Sequence, residues 1–221
     1  MNSRELRELL SRFPKADLAL NPTPLHPLKR MQDKLGCGPL FIKRDDLNGI
    51  GIGGNKVRNL EYLLGDAAAQ GKKTILVSGQ TQSNLCSLCA ACCRRLGLEC
   101  VIVHNSPRPQ QLEGNALLND ILGAEEIYLG GASEEQRAAA IEELSAKLER
   151  EGRKPYIIYN GASSARGRWD MWKPRRNCWS RSPPILPFPL SKTYVFPAET
   201  GDWLPASSTE RLCWVIRSMW N

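Results

Sequence analysis

The chain has 221 residues, 30 Lys plus Arg against 23 Asp plus Glu, a net charge of +7 and a pI of about 9.1. The basic excess is spread among acids, with no run of five like charges and no basic helix carrying aromatic residues, which argues against nucleic-acid binding. No apolar stretch reaches the roughly 18 residues of a membrane span, and residues 1–10 form a charged amphipathic segment without the apolar core of a secretory signal, so a cytoplasmic protein with free thiols is expected.

Residues 40–42 read as a short strand, followed by the polar turn Lys43-Arg44-Asp45-Asp46. A glycine-rich loop, residues 49–54, then runs into a helix in which Val57, Leu60, Leu63, Leu64, Ala67 and Ala68 share one face and Gly71 ends the pattern. Residues 74–77 are a buried strand. Ser83 is placed to N-cap a helix ending near Leu96-Gly97. Strands at 100–103, 126–129 and 155–158 alternate with helices at 112–122 and from a capping box of Ser133 and Gln136 to about Arg150. This βαβα rhythm predicts a parallel sheet covered by helices.

Composition changes after Arg166. All six tryptophans and seven of the 15 prolines lie in the last 55 residues, where no helical or strand periodicity persists beyond a few positions. Two regions are therefore expected: an α/β region over 1–166 and an irregular Pro/Trp-rich tail over 167–221.

Two loops carry chemistry. The first ends in Gly53-Gly54-Asn55-Lys56. A lysine at such a helix start is partly desolvated, and its neutral amine is the nucleophile that forms Schiff bases. An ordinary solvated helix lysine is the competing reading. Gly49, Gly51 and Gly54 formally match a dinucleotide fingerprint, but residues 43–48 separate them from the strand, and Asn55 before Lys56 breaks the P-loop pattern. The second loop, residues 78–84, brings Gln82, Ser83 and Asn84 to a helix N-terminus, suited to a carboxylate or phosphate or simply a capped turn.

Cys86, Cys89 and Cys93 lie at i, i+3 and i+7, with Cys92 beside them. A metal centre wants four converging ligands, and one helix among apolar neighbours suggests packing, so no metal site is expected. His26 and His104 read as surface or turn residues.

The lysine block over 53–63 is similar to that of the 1-aminocyclopropane-1-carboxylate deaminase/D-cysteine desulfhydrase family of pyridoxal-phosphate (PLP) enzymes. The resemblance extends through Pro22-Thr23-Pro24-Leu25, Ile42-Lys43-Arg44-Asp45-Asp46, Gln82-Ser83-Asn84, Gly114-Asn115 with Leu117 and Leu118, and residues 155–164, covering about 13–166. It implies a three-layer α/β/α tryptophan synthase β-like fold (PLP fold type II), incomplete at the C-terminus.

It further implies PLP held by Lys56, Asn55 and Asn84, catalysis by Lys56 and Ser83, and substrate binding by Gln82, Ser83 and Asn84. Leu85 stands where the family has a polar residue. The implied reaction releases ammonia and an α-keto acid from a small amino acid, in a homodimer. The family's phosphate-binding glycine loop, active-site tyrosine and pyridine-nitrogen partner find no match in 167–221, so a truncated, inactive member is the alternative expectation, followed by a cysteine-cluster metal or redox protein.

Overall fold

The computed structural model describes residues 8–36 and 38–159, and the backbone of residues 194–196. The expected break after Arg166, and the tail apart from 194–196, lie outside the described residues.

Four strands form the main sheet: β3 (Thr74–Gly79), β4 (Glu99–His104), β5 (Glu125–Tyr128) and β6 (Pro155–Ile158), in the order β5-β4-β3-β6 and all parallel. A smaller sheet pairs β1 (Leu25–Pro27) antiparallel with β2 (Leu40–Lys43), and β2 parallel with β7 (Tyr194–Phe196). The helices described from end to end are α1 (Lys29–Leu35), α2 (Lys56–Ala69), α3 (Asn84–Leu96), α4 (Gly114–Ile121) and α5 (Glu134–Arg150).

Alternation along the strands builds the layers. Ile75 and Val77 of β3, Cys100 and Ile102 of β4 and Ile158 of β6 join α2 and α3 in the larger core. Leu76, Val101 and Val103 point the other way, to Ile141 of α5. Both faces of the sheet are covered, so its strands read as unbroken apolar runs rather than alternating ones. The three-layer α/β/α expectation holds among the described residues.

The local signals hold as well. Ser83 caps α3, accepting from the Cys86 amide, and Ser133 with Gln136 forms the full capping box on α5. Three features differ from the sequence reading. The strand at 40–43 belongs to the small sheet, outside the βαβα run. β1 and α1 were not expected: β1 is three residues long and ends in proline, and α1 buries no residue, so neither has a core-facing period to read. In the tail, residues 194–196 form a strand whose register is Leu40 with Tyr194.

Strand order places the site. The chain steps outward from β3 to β4 to β5, then returns to β6 on the far side of β3. The crevice beyond the carboxyl ends of β3 and β6 is a topological switch point, where open α/β sheets bind ligands.

Candidate active site at the carboxyl end of the sheet

Lys56 is the first residue of α2 and is half-buried. Helix α2 leads through a short turn into β3 and runs antiparallel to it, so Lys56 stands at the end of the sheet where β3 finishes. The loop before it is tightly built. The Gly54 amide donates to the Asp45 carbonyl at 2.9 Å, the Gly53 amide to the Ile50 carbonyl at 2.8 Å, and Asn48 Nδ2 to the Gly54 carbonyl at 2.8 Å. Gly53 has φ +77°, and a Cβ there would sit 2.1 Å from the Asp46 carbonyl oxygen, so only glycine lets the chain pass.

Arg58, two residues further along α2 and buried, anchors this loop. Its Nε and Nη2 donate to the two Asp45 carboxylate oxygens at 2.7 and 2.6 Å, and Nη2 also reaches Thr23 Oγ1 at 3.0 Å. Thr23 Oγ1 donates to Asp45 Oδ1 at 2.7 Å, and Lys43 Nζ donates to the Thr23 carbonyl. Burial works against the Asp45 carboxylate, but the Arg58 fork and Thr23 outweigh it and hold its carboxyl below the usual carboxylate range. Asn55, at the N-cap, is buried and its side chain makes no cap bond.

The second loop leaves β3 at Gly79 and enters α3. Ser83 and Asn84 are half-buried, and the first-turn N–H groups of α3 point out of the helix toward the crevice. The Gln82 side chain accepts from the Asn115 amide at 2.8 Å and donates to the Glu113 carbonyl at 3.0 Å. Asn115 Nδ2 donates to both the Gln82 carbonyl and Asn84 Oδ1, each at 2.9 Å. A Cβ on Gly114, whose φ is +54°, would lie 2.6 Å from Gln82 Oε1. The start of α4 is thus strapped across the loop, and the Gln82 side chain serves that strap. Thr81 Oγ1 lies 2.6 Å from Ser106 Oγ, tying the same loop to the end of β4.

The structure brings the two loops together on packed neighbours. Helices α2 and α3 share one core, and a Cβ at Gly54 would lie 3.2 Å from Leu88 Cδ1 of α3. Asp45, Arg58 and Thr23 were not singled out as site residues. The signal for Asp45 was the polar run 43–46; Arg58 lies off the apolar face of α2, which gives it no signal of its own. Asn115 enters the sequence reading only as part of a motif, because its partner lies 31 residues away in sequence.

Two other expectations change. His104 is fully buried at the end of β4, with Nδ1 3.1 Å from the Gly79 carbonyl, Nε2 2.8 Å from Glu126 Oε1, and Tyr128 stacked on its ring; it is no surface or turn residue. His26 is exposed, as expected, beside Arg44. In the cysteine cluster the thiols that converge are Cys89, Cys93 and Cys100 of the adjacent strand, not Cys86.

A parallel α/β sheet with a lysine-bearing glycine loop and a polar helix N-terminus at its switch point defines a cofactor-dependent enzyme fold. The family model described as pyridoxal-phosphate dependent enzyme matches residues 16–169, and the chain belongs to that family.

A Yersinia enterocolitica D-cysteine desulfhydrase is 38% identical over 167 residues, covering 73% of this chain and 50% of that protein. A Pyrococcus horikoshii protein named as a candidate 1-aminocyclopropane-1-carboxylate deaminase is 38% identical over 159 residues, 72% of this chain and 48% of its own. A solved structure described as an ACC deaminase homologue superposes with a TM-score of 0.75 at 35% identity, covering 82% of this chain and 55% of that one. The chain spans about half the length of the curated relatives it matches. Among the described residues no helix is long and apolar enough to cross a membrane.

Proposed function

We propose that this chain acts in a PLP-dependent deaminase or lyase of the D-cysteine desulfhydrase or 1-aminocyclopropane-1-carboxylate deaminase type, releasing ammonia and an α-keto acid from a small amino acid. The observation that carries this reading is Lys56 at the first position of α2, at the same sheet end as the Ser83-Asn84 helix start.

The donor set fits the cofactor. Lys56 supplies the amine for an aldehyde. The N-terminus of α3, with the Ser83 hydroxyl and the Asn84 amide, suits an anionic oxygen. The buried Asn59 Oδ1, one helical turn from Lys56, has no hydrogen-bond partner among the described residues and leaves a polar position for a bound group. Lys56, Asn55 and Asn84 would hold the cofactor. Bound PLP would supply an electron-withdrawing ring that spreads the charge developing at Cα. Ser83 and Asn84 orient the substrate carboxylate, and the Lys56 amine takes and returns a proton at Cα. Gln82 contributes by holding the loop through Asn115.

Homodimeric assembly and a cytoplasmic setting belong to the same reading, the latter supported by five free, buried thiols at Cys86, Cys89, Cys92, Cys93 and Cys100. A second reading is cofactor binding without turnover. Borohydride reduction after adding PLP separates them when paired with an ammonia assay. Labelling of the Lys56 peptide with ammonia released supports the enzyme, and labelling without ammonia supports the second reading. Labelling at Lys43 or Lys72 instead would refute the assignment of Lys56.

A further inference from the structure

Three thiols meet at the opposite end of the sheet from Lys56. Cys89 and Cys93 are one turn apart on α3, and Cys100 is the second residue of β4, against which α3 packs. Their sulfur atoms all lie within 4.8 Å of one another, with Cys89 and Cys93 4.0 Å apart. Metal–thiolate bonds are about 2.3 Å, so three sulfurs around one ion in a trigonal plane stand about 4.0 Å apart. The cluster needs only small side-chain adjustments to reach that geometry.

We propose that Cys89, Cys93 and Cys100 form a three-thiolate binding site for a soft monovalent cation of the Cu(I) class. Helix α3 alone supplies two converging thiols, and the third comes from β4. The grouping offers three sulfurs, which suits a three-coordinate soft ion better than tetrahedral zinc with its four ligands.

Cys100 retains 8% exposure and lines a cavity of about 540 Å3 together with Arg94, Glu99, Glu125 and Arg153. Glu99 and Glu125 put carboxylates at this cavity, and both are bridged by Arg153, at 2.9 and 3.1 Å. The sulfurs are also chemically unequal. Hydrogen bonds from Cys89 and Cys93 favour the Cys100 thiolate against the opposing effect of burial, while the thiols of Cys89 and Cys93 are pushed up. Each remaining thiol that ligates releases its proton to solvent, and the metal keeps its oxidation state.

The test uses the full chain with Cys37, Cys178 and Cys213 replaced by serine, under anaerobic reducing conditions. Cu(I) is titrated in competition with a chromophoric chelator. One equivalent should pass to the protein, and X-ray absorption should show three sulfur neighbours. Cys100→Ala and Cys89→Ala should each weaken binding by at least about 100-fold, more than the loss of an outer-shell partner costs. Cys86→Ala should bind as the parent does. Failure of the folded chain to withdraw Cu(I), unchanged binding in Cys100→Ala, or a two-sulfur spectrum would overturn the proposal. The sulfur count is read on the parent, so the test survives a variant that does not fold.

Discussion

Arg58 grips Asp45 through two parallel hydrogen bonds of 2.7 and 2.6 Å, tying the first turn of the lysine helix to the polar turn that precedes the glycine loop. This pair sets where Lys56 begins its helix. Replacing Asp45 with asparagine leaves the buried Arg58 guanidinium without its counter-charge, and a loss of about 2 kcal/mol or more is expected at neutral pH. Because the folded carboxyl titrates below its unfolded value of about 3.9, the pair's contribution is complete above that value and is lost as pH falls through the lower, folded one. The stability gap between parent and Asp45→Asn should therefore be widest from pH 5 to 7 and narrow as the pH falls below about 3.9. Urea unfolding across that range checks it; a gap that does not narrow on acidification contradicts it.

Gly53→Ala should be among the most damaging single-methyl changes in the chain. It places a Cβ 2.1 Å from the Asp46 carbonyl at φ +77°. Left-handed strain and overpacking together are expected to cost about 3 kcal/mol or more. Equilibrium unfolding measures the loss, and PLP trapping at Lys56 should fall in the fraction that remains folded.

Asn115→Ala removes both side-chain donors that hold the Gln82 carbonyl and Asn84 Oδ1. The unpaired acceptors predict a cost of about 1–3 kcal/mol. The effect should be local. Amide exchange should quicken over residues 80–86 while β3 and β4 stay protected. Uniform loss of protection across the sheet would mean that Asn115 supports the whole fold rather than the loop.

Ser83→Ala removes the N-cap of α3, worth about 1 kcal/mol. If the hydroxyl also faces the cofactor or the substrate carboxylate, half-maximal borohydride trapping at Lys56 should need about ten- to hundred-fold more PLP. A trapping curve that matches the parent's would leave capping as its only duty.

Much of the site was legible because its signals are local. Lys56 after paired glycines, Ser83 before an apolar helix and Ser133 with Gln136 each report on a turn of chain within four residues of themselves, and capping, glycine and helix periodicity act over that range. The unbroken apolar runs of β3 and β4 announced strands buried on both faces. The small sheet was less legible, since β1 and β2 are short and pair with each other rather than with the βαβ run.

What the sequence by itself determined is the order of elements, the lysine and serine at two helix starts, and the membership those motifs imply. Only the tertiary structure decided which distant residues meet. The parallel register of β3 on β4 sets Gly79 beside His104 and buries that histidine between a carbonyl and Glu126. Packing of α3 on β4 replaces Cys86 with Cys100 as the third thiol of the cluster. The start of α4 crosses the Ser83 loop so that Asn115 meets Asn84. These contacts span between 7 residues, for Cys93 and Cys100, and 31, for Asn84 and Asn115. Their partners are set by sheet register and helix docking, and no local propensity encodes either.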